Sequence, residues 1–411
     1  MVTTSYPRFP GDTVGTFMEP IARGLAARGH EVHVVAPWHP LVTRAPKEDG
    51  VYFHFFHYAP LPALNVFGYA NALRADIALR PSAIAVAPFA LVTGWQVVRR
   101  VVKDVQATVI HGHWAVPGGV LAAAVARSSH PLVISIHGSD IYLAERSAWA
   151  RRATRIALRR AALVTACSED LRSRAIALGG IADRIEVLPY GVDSCRFRPD
   201  TTSRTKGRTD LGVKDKVPLI FTAGRLVRKK GFEYLLEAVS LLSKSWPTLL
   251  LVIAGSGDLE DELRERLSTL GIVDHVRFLG SVKQDRMPTL LAAADVAVVP
   301  SVRDEAGNVD GLPNTVLEAM SSGTPLVATT AGGISAVAVN GRTAILVPER
   351  DVMALAGALD TLLKNPEKRV ALGRAARKEV CYNHTWERVA ERFEKIYESA
   401  GKENTSNFRR T

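Results

Sequence analysis

The sequence has few cysteines, and they lie far apart. Its 411 residues contain only Cys167, Cys195 and Cys381. Without a C-x-x-C pair, neither a zinc knuckle nor a disulfide framework is predicted. A chain that needs no disulfides is typical of a reducing compartment, so we expect a cytoplasmic protein. The first residues also lack the basic and apolar regions of a signal peptide, which favours the same expectation.

The sequence also has no long uninterrupted apolar run. Its most apolar stretch, residues 83–98, contains Pro88 and Gly94. This stretch is shorter than the roughly 20 residues that a membrane-spanning helix needs. We therefore expect it to lie in a core or an interface.

A dense basic stripe is absent as well. The chain holds 52 Lys and Arg against 41 Asp and Glu, a net charge of +11 spread along its length. A moderate excess of this kind suits phosphate-bearing ligands or an anionic membrane face. Nucleic-acid-binding proteins usually show more concentrated basic residues with interleaved aromatics, so no nucleic-acid partner is expected.

What the sequence does contain is a regular alternation of short apolar strands and helical patterns. Strand-like runs occupy residues 31–37, 108–114, 132–138, 162–168, 218–224, 249–255, 275–280, 296–301, 324–330 and 344–349. Between them, residues 16–30 and 232–246 carry apolar side chains at helical spacing. This alternation predicts an α/β fold with parallel sheets covered on both faces.

The length exceeds that of one ordinary core, so two domains are expected. Apolar content falls sharply in residues 198–212, which we interpret as a linker. We predict one doubly wound domain over residues 1–200 and another over 201–383. An amphipathic helix over 384–400 is expected to cross back towards the first domain, followed by a flexible tail over 401–411.

The stretch VDGLPNTVLEAMSSGTP places two acids eight residues apart around a predicted helix start. Asp310 precedes the helix, Gly311 lets the backbone approach a ligand, and Glu318 falls in the second turn. The backbone amides near the helix start are those of Leu312, Asn314 and Thr315. Such amides favour a phosphate, and a carboxylate at Glu318 could bind a diol such as a ribose. An ordinary capped helix with a surface acid explains the same residues.

Two further strand ends carry polar side chains. In AGRLVRKKGF, Arg225 offers a fork and Lys230 a point charge for a diphosphate, although a solvated basic turn is the alternative. In SIHGSD, His137 ends an apolar strand and would point into a cleft at the carboxyl ends of the strands. A buried histidine with satisfied hydrogen bonds is the alternative there. The pair in HGHW resembles a metal site, but no third ligand follows at metal spacing.

Together these motifs resemble the retaining glycosyltransferases of family 4. Their GT-B fold has two doubly wound Rossmann-like domains that face a central cleft. The similar segments cover nearly the whole chain: SYPRFPGDTVGTF, ARGHEVHVVAP, HGSD, VLPYGVDSCRFRP, GRLVRKKG, AGSGDLE, FLGSV and DGLPNTVLEAMSSGTPLVATTAGG. The start SYPRFPGD is similar to enzymes of cell-envelope and exopolysaccharide assembly.

The resemblance implies a nucleotide-diphosphate sugar held by the second domain, a glycan or lipid-linked acceptor on the first, and no cofactor or metal. It implies catalytic roles for His137, Arg225, Lys230 and Asp310, with Asp140 on the acceptor side. The donor-binding residues that it implies are Gly15, Arg225, Lys230, Val282, Asp310, Gly311, Leu312, Asn314, Thr315 and Glu318. Arg225 and Lys230 would neutralise the diphosphate. The family more often has glutamate where Asp310 stands.

The segment from Arg146 to Arg160 carries six arginines and no acid. A basic amphipathic helix of this kind can lie on anionic lipid, which would make the protein peripheral at the inner face of a membrane. A solvated surface helix is the alternative.

Three other functions stay open at this point. A nucleotide-sugar epimerase or a disaccharide-phosphate synthase would keep the donor motifs and change the first domain. A non-catalytic protein that binds sugar nucleotides is the third alternative.

Overall fold

The computed structural model describes residues 1–12, 14–69, 73–74, 78–79, 81–127 and 129–407. The chain forms two compact units. Unit 1 comprises Met1–Leu188 together with the segment that starts at Trp386, and unit 2 is the continuous segment Pro189–Thr385.

Unit 1 is built from short strands, most of them parallel, flanked by helices. Its strands are β1 (Val32–Pro37), β2 (Lys47–Glu48), β3 (Val51–Phe56), β4 (Leu73–Arg74), β5 (Ala78–Leu79), β6 (Ile110–His113), β7 (Leu132–Ile136), β8 (Leu163–Ala166) and β9 (Ile185–Val187). Its helices before unit 2 are α1 (Met18–Ala27), α2 (Pro81–Asp104), α3 (Val120–Val125), α4 (Ser139–Arg146), α5 (Ala148–Arg160) and α6 (Glu169–Ala177).

Val2 joins the two halves of the unit 1 sheet. β3 pairs with β1 on one side, and β6, β7, β8 and β9 pair in that order on the other, all in parallel. Val2 pairs in parallel with Val35 of β1 and with Gly112 of β6. The chain order of the strands therefore reverses at Val2, as in a doubly wound sheet.

Unit 2 is a second doubly wound α/β unit. Its strands are β10 (Leu219–Ala223), β11 (Leu250–Ala254), β12 (Val276–Phe278), β13 (Val296–Val299), β14 (Leu326–Thr329) and β15 (Ile345–Val347). Its helices are α7 (Thr201–Asp210), α8 (Phe232–Ser243), α9 (Glu260–Leu270), α10 (Met287–Ala293), α11 (Asn314–Ser321), α12 (Val352–Lys364) and α13 (Pro366–Asn383). The strand order is β12-β11-β10-β13-β14-β15, and every pair is parallel.

The predicted linker over residues 198–212 is wrong, because most of it forms α7. The Asp200 carboxylate caps this helix by accepting from the Thr202 amide at 2.9 Å. Arg208 is 2% exposed and donates to backbone oxygens that include that of Ala293, at 2.9 Å. The polar residues that suggested a linker instead fasten α7 to unit 2, and the units divide earlier, at Leu188.

Residues 83–98 were expected in a core or an interface because Pro88 and Gly94 interrupt the apolar run, but the helix itself is not interrupted there. They lie in α2, which continues for 24 residues through Pro88. One side of α2 is buried, while Ile84, Phe89 and Val92 are each more than half exposed. By length and composition alone, α2 is the one helix in the described ranges that could cross a membrane.

The last helix, α14 (Trp386–Asn407), belongs to unit 1. Its apolar face consists of Val389, Phe393, Ile396 and Ala400, which are buried in the same core as residues of α1. The Tyr397 hydroxyl hydrogen-bonds to Nδ1 of His111 in β6 at 2.7 Å. α14 continues as a helix up to Asn407, and residues 408–411 lie outside the described residues, so the flexible tail predicted over 401–411 stays a prediction.

We expect Phe393→Ala to destabilise unit 1 by about 3–5 kcal/mol, because it empties a core position that is 3% exposed. Phe89→Ala is the matched control: the same atoms are removed from a side chain that is 65% exposed, and the cost should stay within about 0.5 kcal/mol. Urea unfolding followed by tryptophan fluorescence measures both. Equal effects of the two substitutions would contradict the packing of α14 described here.

Candidate functional site

The polar residues of unit 2 gather where the strand order reverses. β10 and β13 are neighbours at the centre of the sheet, and the chain leaves them in opposite directions. Ligands of open α/β sheets bind at the carboxyl ends of such strands. Arg225 and Lys230 follow β10, and Asp310 follows β13, so the fold brings these predicted residues to one place.

The Asp310 carboxylate is the centre of this cluster. Its Oδ2 lies 2.7 Å from Nζ of Lys230, and its Oδ1 lies 3.4 Å from Nζ of Lys229. The Ser301 hydroxyl donates to Oδ2 at 3.3 Å. Lys229 and Ser301 were missed from the sequence. The sequence RKKG contains two adjacent lysines, of which only Lys230 was predicted. The contacts with Asp310 show that both lysines face the site.

Electrostatics keep this carboxylate ionised. Burial alone would raise the pKa of Asp310, but Lys230, Lys229 and Arg225 outweigh burial and hold that pKa well below its usual range. The site in unit 2 therefore contains one fixed negative charge among three positive ones. The surplus positive charge suits an anionic ligand such as a diphosphate.

Two glycines, Gly231 and Gly332, allow neighbouring backbone segments to lie close together around Asp310. Gly231 has φ +65°, and a Cβ there would lie 2.0 Å from the backbone oxygen of Pro300. Gly332 has φ +57°, and a Cβ there would lie 2.0 Å from the backbone oxygen of Asp310. A side chain at either position would push the lysine turn or the Asp310 loop out of place.

The start of α11 faces the end of β10. The Thr315 hydroxyl donates to the backbone oxygen of Ala223 at 3.1 Å, so its side chain holds the helix against the strand. Leu312 is buried and Asn314 is exposed. Gly311 lies between Asp310 and Leu312, beside the helix start. The amides predicted to bind an anion are thus positioned at the carboxyl end of β10.

Glu318 lies in the second turn of α11 and is 8% exposed. Burial raises the pKa of Glu318 to about 7, with Arg196 and Lys230 acting in the opposite direction. A carboxyl group with this pKa gains or loses its proton near neutral pH, which makes it sensitive to a ligand that hydrogen-bonds to it.

Hydrogen bonds tie together the loops that follow β10, β11 and β12. The Leu226 amide donates to the Ser256 oxygen at 3.0 Å, and the Gly255 amide donates to the Gly280 oxygen at 2.7 Å. Val282 follows in the loop after β12. Gly255 and Ser256 of AGSGD therefore link neighbouring strand ends. The predicted contact of Val282 with a base stays a prediction.

In unit 1, His137 lies at the end of β7 among aromatic rings. It stacks on His113 with ring centroids 5.4 Å apart, and it packs against Phe17 and Trp114 at 4.7 Å each. Its Nε2 is 3.2 Å from Nδ1 of His113. Desolvation lowers the pKa of His137 to about 3, so the ring is neutral at physiological pH. HGHW thus supplies ring contacts, and within the described residues no three His, Cys, Asp or Glu side chains form a metal-binding group.

Asp140 was predicted on the acceptor side, but its carboxylate is buried and bonded to backbone amides, so it is not exposed to an acceptor. It is 2% exposed, and its carboxylate accepts from the amides of Ala115 at 2.6 Å, Gly138 at 3.0 Å and His137 at 3.3 Å. These bonds fix the loop that carries His137. We therefore assign Asp140 to the positioning of His137.

The loop after Val2 is held by an ion pair. Nε of Arg8 lies 2.6 Å from Oδ2 of Asp12, and Nη2 lies 2.9 Å from Oδ1. Gly15 follows, and its oxygen accepts from the Met18 amide at the start of α1. Gly15 is thus fixed near the reversal point of the unit 1 sheet, although nothing in the geometry assigns it a ligand.

The arginine-rich segment starts at Arg146, the last residue of α4, and after Ser147 it forms α5. α5 contains no acid, and its arginines at 152, 155, 159 and 160 are exposed. Trp149 and Ile156 are exposed on the same helix, at 56% and 50%. A basic face with apolar side chains is typical of helices that lie on lipid surfaces.

Two family models match the chain. Residues 14–196 match the model described as Glycosyltransferase Family 4, and residues 203–379 match the model described as Glycosyl transferases group 1. The chain belongs to glycosyltransferase family 4. The two matches cover most of both units of this family-4 protein.

Sequence relatives agree with this membership. The chain is 34% identical over 261 residues to the GDP-mannose-dependent alpha-(1-6)-phosphatidylinositol monomannoside mannosyltransferase of Mycolicibacterium smegmatis, covering 62% of this chain and 66% of that one. It is 38% identical over 216 residues to the GDP-mannose-dependent monoacylated alpha-(1-6)-phosphatidylinositol monomannoside mannosyltransferase of Corynebacterium glutamicum, covering 52% and 56%. The alignments span less than two thirds of the length of these relatives.

A solved structure shows the same fold. The Anabaena protein HepE, crystallised in complex with UDP, matches with a TM-score of 0.76 and 20% identity, over 97% of this chain and 98% of that chain. The predicted GT-B fold of two Rossmann-like domains is therefore confirmed.

We expect Glu318→Gln to stabilise the ligand-free protein at about pH 8 by about 3 kcal/mol. The pKa of Glu318 is raised from 4.5 to about 7 in the folded state, so its protonated form contributes stability fully below 4.5, and this contribution is lost as pH rises through about 7. A glutamine side chain at this position would avoid the cost of ionisation, so the difference should fall below about 1 kcal/mol at about pH 5.

Urea unfolding of both forms at the two pH values measures this difference. Glu265→Gln is the control because Glu265 is an exposed acid of α9, where the substitution should change little at either pH. A stabilisation by Glu318→Gln of equal size at both pH values would show that ionisation of Glu318 is not the cause.

Proposed function

We propose that this protein is a retaining glycosyltransferase that moves a hexose from a nucleotide-diphosphate sugar to a glycan or lipid-linked acceptor in cell-envelope assembly. The observation that carries the proposal is the cluster at the end of β10 and β13, where Lys230 contacts Asp310 at 2.7 Å beside the start of α11. This cluster combines surplus positive charge for a diphosphate with carboxylates for sugar hydroxyls.

In this proposal the donor lies along the carboxyl ends of the unit 2 strands. Arg225, Lys230 and the amides at the start of α11 hold the diphosphate. Glu318 accepts hydrogen bonds from the ribose, and Asp310 accepts them from hydroxyls of the hexose. Asp310 is ionised before the donor arrives, because its neighbouring cations hold its pKa low.

The proposed reaction breaks the bond between the anomeric carbon and the diphosphate oxygen. The bonding electrons go to that oxygen, and the acceptor hydroxyl oxygen forms the new bond to the same face of the anomeric carbon. The acceptor proton passes to an oxygen of the leaving diphosphate. Arg225 and Lys230 stabilise the charge that develops there, which is the main contribution expected of preorganised cations.

This scheme needs no protein nucleophile. In unit 2 the Asp310 carboxylate is engaged by Lys229 and Lys230, which favours a binding role for it over covalent attack. Lysine and arginine side chains can also take the place that a divalent metal has in other phosphate-transferring sites, so we propose a metal-independent reaction.

Unit 1 is proposed to carry the acceptor. His137 is neutral, so it can accept or donate a hydrogen bond with a sugar hydroxyl without adding charge. The arginines, Trp149 and Ile156 of α5 suit the anionic cytoplasmic face of a membrane, where a lipid-linked acceptor would be found. Mannosyltransferases named for phosphatidylinositol mannosides among the relatives support an acceptor of this class.

Arg225→Ala should lower kcat by at least about a hundredfold, because it removes one cation that faces the developing negative charge. The control is Arg228→Ala, three residues away, where the guanidinium pairs with Glu262 in an exposed position. Turnover of GDP-mannose and UDP-glucose by purified protein is the measurement. Near-normal turnover by the Arg225 variant would remove this residue from the mechanism.

Wild-type protein should bind to vesicles that contain anionic phospholipid and fail to bind to neutral vesicles in flotation. Replacing Arg152, Arg155 and Arg159 of α5 by Gln should lower the vesicle partition coefficient about a hundredfold, since each basic residue near such a surface contributes about 1 kcal/mol. The matched control replaces Arg286, Arg342 and Arg374, which are exposed in unit 2. Equal losses in the two triple variants would argue against a role for α5.

A further inference from the structure

Asp310 contacts two lysines through different oxygens. Nζ of Lys230 is 2.7 Å from Oδ2, and Nζ of Lys229 is 3.4 Å from Oδ1. All three side chains are largely buried, at 13–15% exposure. The two lysines are adjacent in the chain, yet they approach the carboxylate from separate sides.

In the proposed function, the Lys230 ammonium group has two anionic partners, the Asp310 carboxylate and the donor diphosphate, and it cannot contact both equally well. Its ammonium group now contacts Asp310, while the diphosphate of a bound donor needs the same charge. A donor carries at least two negative charges at its phosphates, so Lys230 is drawn towards them. Asp310 would then lose its nearest cation while remaining buried, and a buried carboxylate without a cation tends to take up a proton.

Lys229 is close enough to Asp310 to keep the carboxylate ionised when Lys230 moves away. Its backbone oxygen accepts from the Val302 amide at 2.9 Å, which fixes the lysine turn against the chain segment that follows β13. The Lys230 amide donates to the Val227 oxygen at 3.0 Å, so the turn that separates the two side chains is itself hydrogen-bonded. Lys229 can therefore stay on Oδ1 while the side chain of Lys230 moves.

We propose that Lys229 is a positioning residue of the donor site, which keeps Asp310 ionised and directed at the hexose while Lys230 engages the diphosphate. This inference rests on the proposed function and deepens it, because it assigns different roles to two adjacent lysines. Lys230 recognises the phosphates, and Lys229 acts on the sugar through Asp310.

In the part of the chain that the structure describes, the cations that act on Asp310 are Lys229 and Lys230 from the lysine turn and Arg225 after β10. The Ser301 hydroxyl, after β13, also donates to the Asp310 carboxylate. With the donor bound, Arg225 and Lys230 are both directed at the diphosphate. Removal of Lys229 should then let protons compete for Asp310, so any defect should grow as pH falls.

The test compares the binding of intact nucleotide sugars with that of the bare nucleotides by calorimetry. The probes are GDP-mannose against GDP and UDP-glucose against UDP, with wild-type protein and Lys229→Met. We expect Lys229→Met to weaken binding of the preferred nucleotide sugar about tenfold at neutral pH, the usual effect of losing a charge-assisted contact, and more at about pH 5.5. Binding of the matching nucleoside diphosphate should change less than about twofold, since Lys229 does not serve the phosphates.

Two further variants separate positioning from general effects. Lys229→Arg keeps the charge beside Oδ1 and should restore most of the sugar-nucleotide affinity. Arg228→Met removes the neighbouring exposed charge and should leave both affinities unchanged. If Lys229→Met proves unstable, Lys229→Gln replaces it, with thermal unfolding as the check on folding.

The outcomes distinguish this inference from the function on which it rests. Equal loss of nucleotide sugar and nucleotide would make Lys229 a phosphate ligand and overturn the inference, as would unchanged binding of both. Wild-type protein that binds neither GDP-mannose, UDP-glucose, GDP nor UDP would contradict the proposed function itself.

Discussion

A buried carboxylate between cations is the interaction on which the polar cluster of unit 2 depends. Asp310 can remain ionised at the end of β13 only because Lys229, Lys230 and Arg225 lie close to it. Those cations reach it only because β10 and β13 are neighbours in the sheet and the backbone turns tightly at Gly231 and Gly332. The strand order, the two glycines and the charge cluster are thus one arrangement, and the free energy of ionising Asp310 depends on all of them.

In unit 1, burial keeps His137 neutral, whereas in unit 2 neighbouring cations keep Asp310 ionised. His137 carries no charge and lies among the rings of Phe17, His113 and Trp114. Its loop is held by the Asp140 carboxylate through backbone amides rather than by an ion pair with another side chain. The cluster of unit 2 therefore concentrates charge around one carboxylate, while the surroundings of His137 in unit 1 are uncharged rings.

Much of this arrangement follows from the sequence. All six strands predicted for the second half are present, because buried parallel strands are nearly continuous apolar runs. β3 and β9 were missed, since β3 alternates histidine and tyrosine with apolar residues and β9 has only three residues. α7 was taken for a linker because its side chains bond to backbone oxygens, a use of polar residues that composition does not reveal. The same limit hid Lys229, His113 and Ser301, whose importance lies in contacts between distant segments.

The division of the chain has a consequence for biosynthesis. Unit 2 is one uninterrupted segment, whereas the core of unit 1 includes α14, which follows unit 2 in the chain. During translation, unit 2 can complete its sheet as soon as Thr385 has left the ribosome. The first unit to be synthesised must instead wait with the apolar surface of α1 uncovered until Phe393 and its neighbours emerge. The core of unit 1 can therefore be completed only after the whole of unit 2 has been synthesised.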